Sequence, residues 1–186
     1  TVTPPTPTPT KAPTKARARF AQRRLRWEPP PGWGTPLVVS FDGAVDVAAR
    51  AGRFAFVPGA PQTSAWPGAA TPWRARDLDG DGVFTSGREL FGTAGGFSDG
   101  FEKLSHRDAN HDGKIEGAEL AGLSLWIDVD NQGVTDPGEL TPVEVAGLTS
   151  ITIPRVGLRA QAVIQGQKRL CLEVWPEAFA DRFASW

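Results

Sequence analysis

The chain has 186 residues, a formal charge of −1, 40% hydrophobic and 22% charged residues. That length suits one domain with a sizeable core, and the balanced charge gives no reason to expect a specific nucleic-acid partner. No stretch reaches the ~18–20 apolar residues of a membrane span, and a single cysteine, Cys171, excludes an internal disulfide framework.

There is no methionine, even at position 1, and no basic segment followed by an apolar one. This reads as a mature or excised chain with its signal peptide already removed. Residues 1–14, "TVTPPTPTPTKAPT", form a Pro/Thr tract expected to be an extended spacer. Residues 15–27 then supply a basic stretch with no acid: residues 1–27 carry Lys11, Lys15, Arg17, Arg19, Arg23, Arg24 and Arg26. It reads as a solvated arm or short helix, with a protein or anionic surface as its possible partner. We therefore divide the chain into a linker arm, 1–35, and a domain, 36–186.

In the domain, "PLVVSF" (36–41) and "RFAFV" (53–57) have strand composition, and "PGAPQTSAWPGAATPW" (58–73) reads as a long loop pinned by Trp66 and Trp73. A helix is expected over 97–107, with Ser98 as N-cap and Phe101 and Leu104 on one face. A short helical turn follows at 117–121 and a strand at 123–129. "TPVEVAGL" (141–148) has a helix signature: Thr141 as cap, Pro142 at the first position and Glu144 completing a capping box. Strands are expected at 149–153, 160–166 and 168–175, and a last small helix at "AFADRFASW". Cys171 sits in an alternating strand as a core residue.

Twelve of the 21 Asp and Glu residues lie in three short segments. The spacing is that of a calcium loop, with oxygen ligands at positions 1, 3, 5, 7 (a carbonyl), 9 and 12 and glycine at 6. In 108–119 these are Asp108, Asn110, Asp112, the Lys114 carbonyl, Glu116 and Glu119. In 128–139 they are Asp128, Asp130, Gln132, the Val134 carbonyl, Asp136 and Glu139. In 77–89 they are Asp77, Asp79, Asp81, the Val83 carbonyl and Thr85, but position 12 is Arg88. A guanidinium cannot ligate a cation, so Glu89, one residue later, is taken as the closing ligand after a bulge at Ser86–Gly87. Such carboxylate clusters repel without a counter-ion, and up to three Ca2+ ions are expected.

From "SGRELFG" onward, "DGFEKL", "DANHDGKIE", "LSLWIDVDNQG", "PGELTPV" and "GLTSITI" follow in one order. That order resembles the EF-hand-like calcium-binding module of large secreted bacterial proteins, often found beside hemolysin-type repeats. The resemblance covers about residues 77–153. It implies a secreted or cell-surface bacterial protein and supports Glu89 as a ligand, since a delayed glutamate is typical of that module. The module's usual extra acids are missing from "PLVVSFDGAV" (36–45), which keeps only Asp42.

The expected fold class is α+β: a small, mainly antiparallel sheet with short helices and three EF-hand-like loops. His106 and His111 read as surface residues, and no nucleophile–base pairing points to catalysis. The expected function is a non-enzymatic extracellular calcium-binding module ordered by Ca2+ and supporting surface binding or assembly. The alternatives are a calcium-dependent docking or adhesion module, dockerin-like or thrombospondin-repeat-like, and a calcium-stabilised secreted hydrolase.

Overall fold

The structure, a computed structural model, describes residues 35–47, 50–57 and 59–174. The basic arm and the C-terminal "AFADRFASW" segment lie outside the described residues. In chain order the elements are β1 (Leu37–Val39), β2 (Arg50–Val57), β3 (Ala60–Trp66), β4 (Trp73–Ala75), α1 (Gly100–Ser105) and β5 (Lys114–Glu116). A 3-10 turn (Gly117–Leu120) follows, then β6 (Ser124–Trp126), β7 (Leu140–Pro142), β8 (Leu148–Thr152), β9 (Arg159–Ile164) and β10 (Gln167–Glu173).

Eight strands form one antiparallel sheet in the order β5-β8-β9-β10-β1-β4-β6-β7, and β2 and β3 form a separate hairpin. The fold is a mostly-β half-barrel, so the expected α+β class does not hold. Among the described residues the one α-helix is six residues long. Its N-cap is Asp99, whose carboxylate accepts from the Glu102 amide, not Ser98. Ser98 instead donates to the Glu102 carboxylate through both its amide and its hydroxyl. The helix expected at 141–148 is also absent. Thr141 and Pro142 lie in β7 against Leu125 and Ser124, and the residues after them form turns. A capping signature cannot outweigh pairing with a strand already in the sheet, because short helices gain little without tertiary support. The loop expected at 58–73 contains β3, which pairs with β2 along most of its length.

Strand alternation sorts the core onto the two faces of the sheet. On β1, Leu37 and Val39 join one cluster with Phe101, Leu104, Ile115, Leu125 and Ile164, while Val38 joins the other. Leu148 and Ile151 share the first cluster although three residues apart, because β8 shifts register against β9 between Leu148 and Ser150. The second cluster lies between the sheet and the hairpin. Trp66, Trp73 and Trp126 are fully buried there with Phe54, Phe56 and Phe84. The Trp66 ring centroid lies 5.4 Å from that of Trp73 and 5.7 Å from that of Trp126, both edge-on. Burying one such ring stabilises the fold by about 2–3 kcal/mol, and each ring pair adds roughly 0.5–1.5 kcal/mol. Trp66 packs over Gly52 so closely that a Cβ at Gly52 would lie 2.2 Å from the indole.

Two ionisable groups sit where strand alternation would place apolar ones. Arg74, on the middle residue of β4, is 1% exposed, and its Nη1 lies 3.8 Å from the Cys171 Sγ. Burial lowers the Arg74 pKa and raises that of Cys171, and each opposes the other's shift. Glu173, on β10, is 4% exposed. Burial pushes its carboxyl up from 4.5 to about 7, with Asp99 adding to the shift and the nearby Thr35 hydroxyl and Gly100 amide opposing it.

A carboxyl raised in the fold stabilises it fully below its unfolded pKa and loses that contribution as pH rises through the folded value. Stability measured by urea denaturation should therefore fall between about pH 4.5 and pH 7. Glu173→Gln should make that fall shallower, leaving the part due to the raised Asp128, and stabilise the protein at pH 8 by roughly 2–3 kcal/mol. A wild-type stability that is flat or rising across this window would contradict the assignment.

Candidate metal centre

The three acidic loops fold alike at their first half. In each, the leading aspartate accepts from the amide five residues later. Asp77 accepts from Gly82 at 2.9 Å, Asp108 from Gly113 at 2.9 Å and Asp128 from Gly133 at 2.7 Å. Those glycines have φ of 76°, 82° and 74°, and the residues two before them, Gly80, His111 and Asn131, are also left-handed. The pattern of aspartate and glycine therefore dictates a local turn, since side-chain acceptors on alternate residues capture successive amides.

What holds the loop ends differs from the expectation. An EF-hand sets its loop between two helices. Here the first loop leaves β4 and returns to it, with Ala75 bridged to Leu90 and the Arg76 amide donating to the Glu89 carbonyl at 2.7 Å. The third loop joins the paired strands β6 and β7, with the Ile127 amide on the Glu139 carbonyl at 3.0 Å. The second runs from the six-residue α1 into β5. Strand pairing does the work that helices do in an EF-hand. The expectation of an EF-hand-like calcium-binding module, and with it the docking and adhesion reading built on such loops, is overturned.

The structure brings two sets of carboxylates together. Asp77, Asp79, Asp81 and Glu89 each offer an oxygen within 4.8 Å of the others, as do Asp128, Asp130 and Glu139. Glu89 takes the closing role in the first set, while Arg88 is exposed. The Glu89 Oε2 accepts from the Thr85 and Ser86 amides at 2.8 and 3.3 Å, and its Oε1 is buried with no hydrogen-bond partner among the described residues. Thr85 reaches the same Oε2 with its hydroxyl at 3.4 Å, and Val83 donates its amide to Asp81.

In the third loop Glu139 Oε1 accepts from the Val129 amide at 2.7 Å, and Oε2 from the Asp136 amide and the Trp126 indole. Asp136 is engaged by the Gln132 side-chain amide, outside the carboxylate cluster, and Val134 is exposed. The second loop gathers no such cluster of three acids among the described residues. Asn110 and Asp112 hydrogen-bond each other, Glu116 pairs with Lys114 at 3.8 Å, and Glu119 accepts from the Ala109 and Glu116 amides.

Electrostatics separates the two clusters. The amides of Gly82 and Gly80 hold the half-buried Asp77 carboxyl below its ordinary range. Burial raises Asp128 to about 6, and the Asp130 and Glu139 carboxyls act in the same direction against the Gly133 amide. A cation between these groups would remove the repulsion. An all-oxygen donor set of this kind suits a hard divalent ion.

The clusters are linked. The Phe84 amide donates to the Thr135 hydroxyl at 2.8 Å, in buried surroundings, and the Phe84 ring packs edge-on against Trp126 at 5.8 Å. Both loops also touch β2. The Gly87 amide donates to the Ala55 carbonyl at 2.8 Å. A Cβ on Gly87 would lie 2.1 Å from the Phe56 carbonyl oxygen, and one on Gly133 1.8 Å from that of Arg53. Sequence reading missed this docking. Its only trace is a glycine at position 87, valued there for φ and used in the fold for space.

With the geometry established, comparison with known proteins defines the class. The family model of the SPM domain matches residues 42–169, and the chain belongs to that family. It is also 30% identical over 132 residues to the iron-regulated protein FrpA of Neisseria meningitidis serogroup C. That match covers 63% of this chain and spans 12% of FrpA's length.

Gly87→Ala and Gly133→Ala should each destabilise the domain by more than about 2 kcal/mol, because backbone atoms must separate. Gly138→Ala, in open space with φ 95°, should cost only about 1 kcal/mol. Equal melting temperatures for the three variants would show that the loops do not bear on β2.

Proposed function

We propose that this chain is a metal-stapled β domain. Its two carboxylate clusters take up hard divalent cations, Ca2+ first among them, and these fasten the loop rim to the sheet and hairpin. The observation that carries the reading is Glu89. A carboxylate 4% exposed, with one oxygen lacking a partner among the described residues, stands beside three aspartates. Such a group is costly to bury unless a proton or cation meets it. Metals that seek nitrogen or sulfur fit less well: neither carboxylate set includes histidine or cysteine.

Two sites, rather than three, follow from the scatter of the acids in the second loop. The Phe84–Thr135 bond supports mutual ordering, since filling either loop fixes a residue that the other uses. We place the domain outside the cell within a longer polypeptide, where calcium of about millimolar concentration fills even weak sites. Both the loop chemistry and the small share of FrpA that the chain matches support that placement.

Calorimetric titration of metal-free protein with Ca2+ should give two sites, and Mg2+ should bind more weakly because it gives up its waters reluctantly and demands near-ideal octahedral geometry. Chelation of loaded protein should lower the Tm by several degrees or more, as expected when a ligand binds only the folded state. Glu89→Gln should remove one site, whereas Glu144→Gln, at an exposed turn, should keep both. No heat of binding, together with a melt indifferent to chelator, would end this reading.

A further inference from the structure

Beside the neck of the first loop lies a cavity of about 460 Å3. Arg76, Arg88, Lys103 and Arg107 line it with charge, and Phe91 and Phe97 with apolar surface. The volume falls within the range of pockets that hold small molecules. Its charge is not balanced. Among the described residues Glu89 is the only carboxylate on the wall, and it is turned to the Thr85 and Ser86 amides.

The cations are held in place by neutral groups. Lys103 Nζ donates to three carbonyls, those of Arg88, Leu90 at 2.7 Å and Ala94 at 3.5 Å. All three of its protons go to neutral oxygens, and the Glu89 carboxylate on the same wall offsets only part of the effect of its burial. The same Nζ lies 6.0 Å from the Phe91 ring centroid and 5.7 Å from that of Phe97. Arg107 donates from Nε to the Glu119 carbonyl at 2.8 Å and from Nη2 to that of Ala121 at 2.6 Å. Among the described residues no ion pair engages Arg76 or Arg88. Burial lowers the Arg107 pKa, with Arg76 adding to the shift and Glu119 opposing it, and burial brings Lys103 down to about 8, opposed by Glu89 and helped by Arg88. Fixed cations that repel each other around an open cavity raise the local concentration of anions.

We propose that this cavity binds a small aromatic carboxylate, with its charge between Arg76 and Arg88 at the exposed mouth and its ring against Phe91 and Phe97. Guanidinium forks match a carboxylate's two oxygens. The phenylalanines select a flat apolar body over a bare inorganic ion, and the edge-on His106 supports Phe97 at 5.3 Å. The site shares one wall residue, Glu89, with the first metal cluster and uses none of its aspartates, so the two sites adjoin and the titration is run with Ca2+ present.

The test is titration of the full 186-residue chain, in Ca2+-containing buffer, followed by amide NMR shifts. The probes are 1-naphthoate, its neutral counterpart 1-naphthamide, and inorganic phosphate. Naphthoate should saturate and shift the amides of Arg76, Phe91, Phe97, Lys103 and Arg107. Naphthamide and phosphate should each bind at least about tenfold more weakly. An Arg76→Gln/Arg88→Gln protein, altered only at exposed side chains, should lose about tenfold in naphthoate affinity with an unchanged melt. Equal affinity for naphthamide or phosphate, shifts centred elsewhere, or a double variant that binds as well as wild type would each overturn the proposal.

Discussion

Strand β2 is the member on which the rest of the molecule leans. A two-stranded hairpin is marginal by itself in water. Here one face of it, through Phe54 and Phe56, enters the aromatic core with Trp66, Trp73 and Trp126. Its edge meets the backbones of two loops, through Gly87 on Ala55 and Gly133 against Arg53. The three attachments support each other. The loops need a fixed strand to shape their necks, the hairpin needs something on its edge, and the tryptophans need the hairpin as a roof.

The loops illustrate how backbone amides and carboxylates divide the work of folding and binding. Each leading aspartate is engaged by amides across a tight turn, so much of the loop's shape is set by the chain itself. The closing glutamates bring charge from further along the chain into that shape. In the first loop this leaves a buried oxygen without a partner among the described residues, and in the third Glu139 adds to the burial that raises Asp128. The second loop has the best fit to the sequence pattern but the most scattered acids. Its glutamates instead form a capping box on the 3-10 turn that follows, where the Glu116 and Glu119 side chains each meet the other's amide.

Local features were legible in the sequence because local physics sets them. The left-handed glycines, the displaced Glu89 and the alternating strands from 148 onward all reflect constraints acting within a few residues. What could not be read were choices made by distant partners. Strand β3 hides in a Pro/Gly/Ala-rich run and exists because β2 pairs with it. Thr141 and Pro142 carry helix signals that the neighbouring β6 overrides. Most consequentially, the calcium-loop pattern implied flanking helices, whereas nothing in the loop's chemistry requires them: paired strands bring its ends together as well. Arg74, enclosed beside Cys171, carried no sequence signal at all, since a charged residue in a three-residue strand gives no periodicity to read.

The sheet's two outer strands bear on the protein's behaviour at high concentration. An open eight-stranded sheet offers unpaired edges to any neighbouring chain. Here β5 and β7 are each three residues long. The first alternates Lys114 and Glu116 around the buried Ile115, and the second ends in Pro142, which has no amide hydrogen to donate. Growth by strand addition from another copy would meet charges on one side and a missing donor on the other. A curved sheet that stays open among the described residues can thus remain dispersed among its own copies.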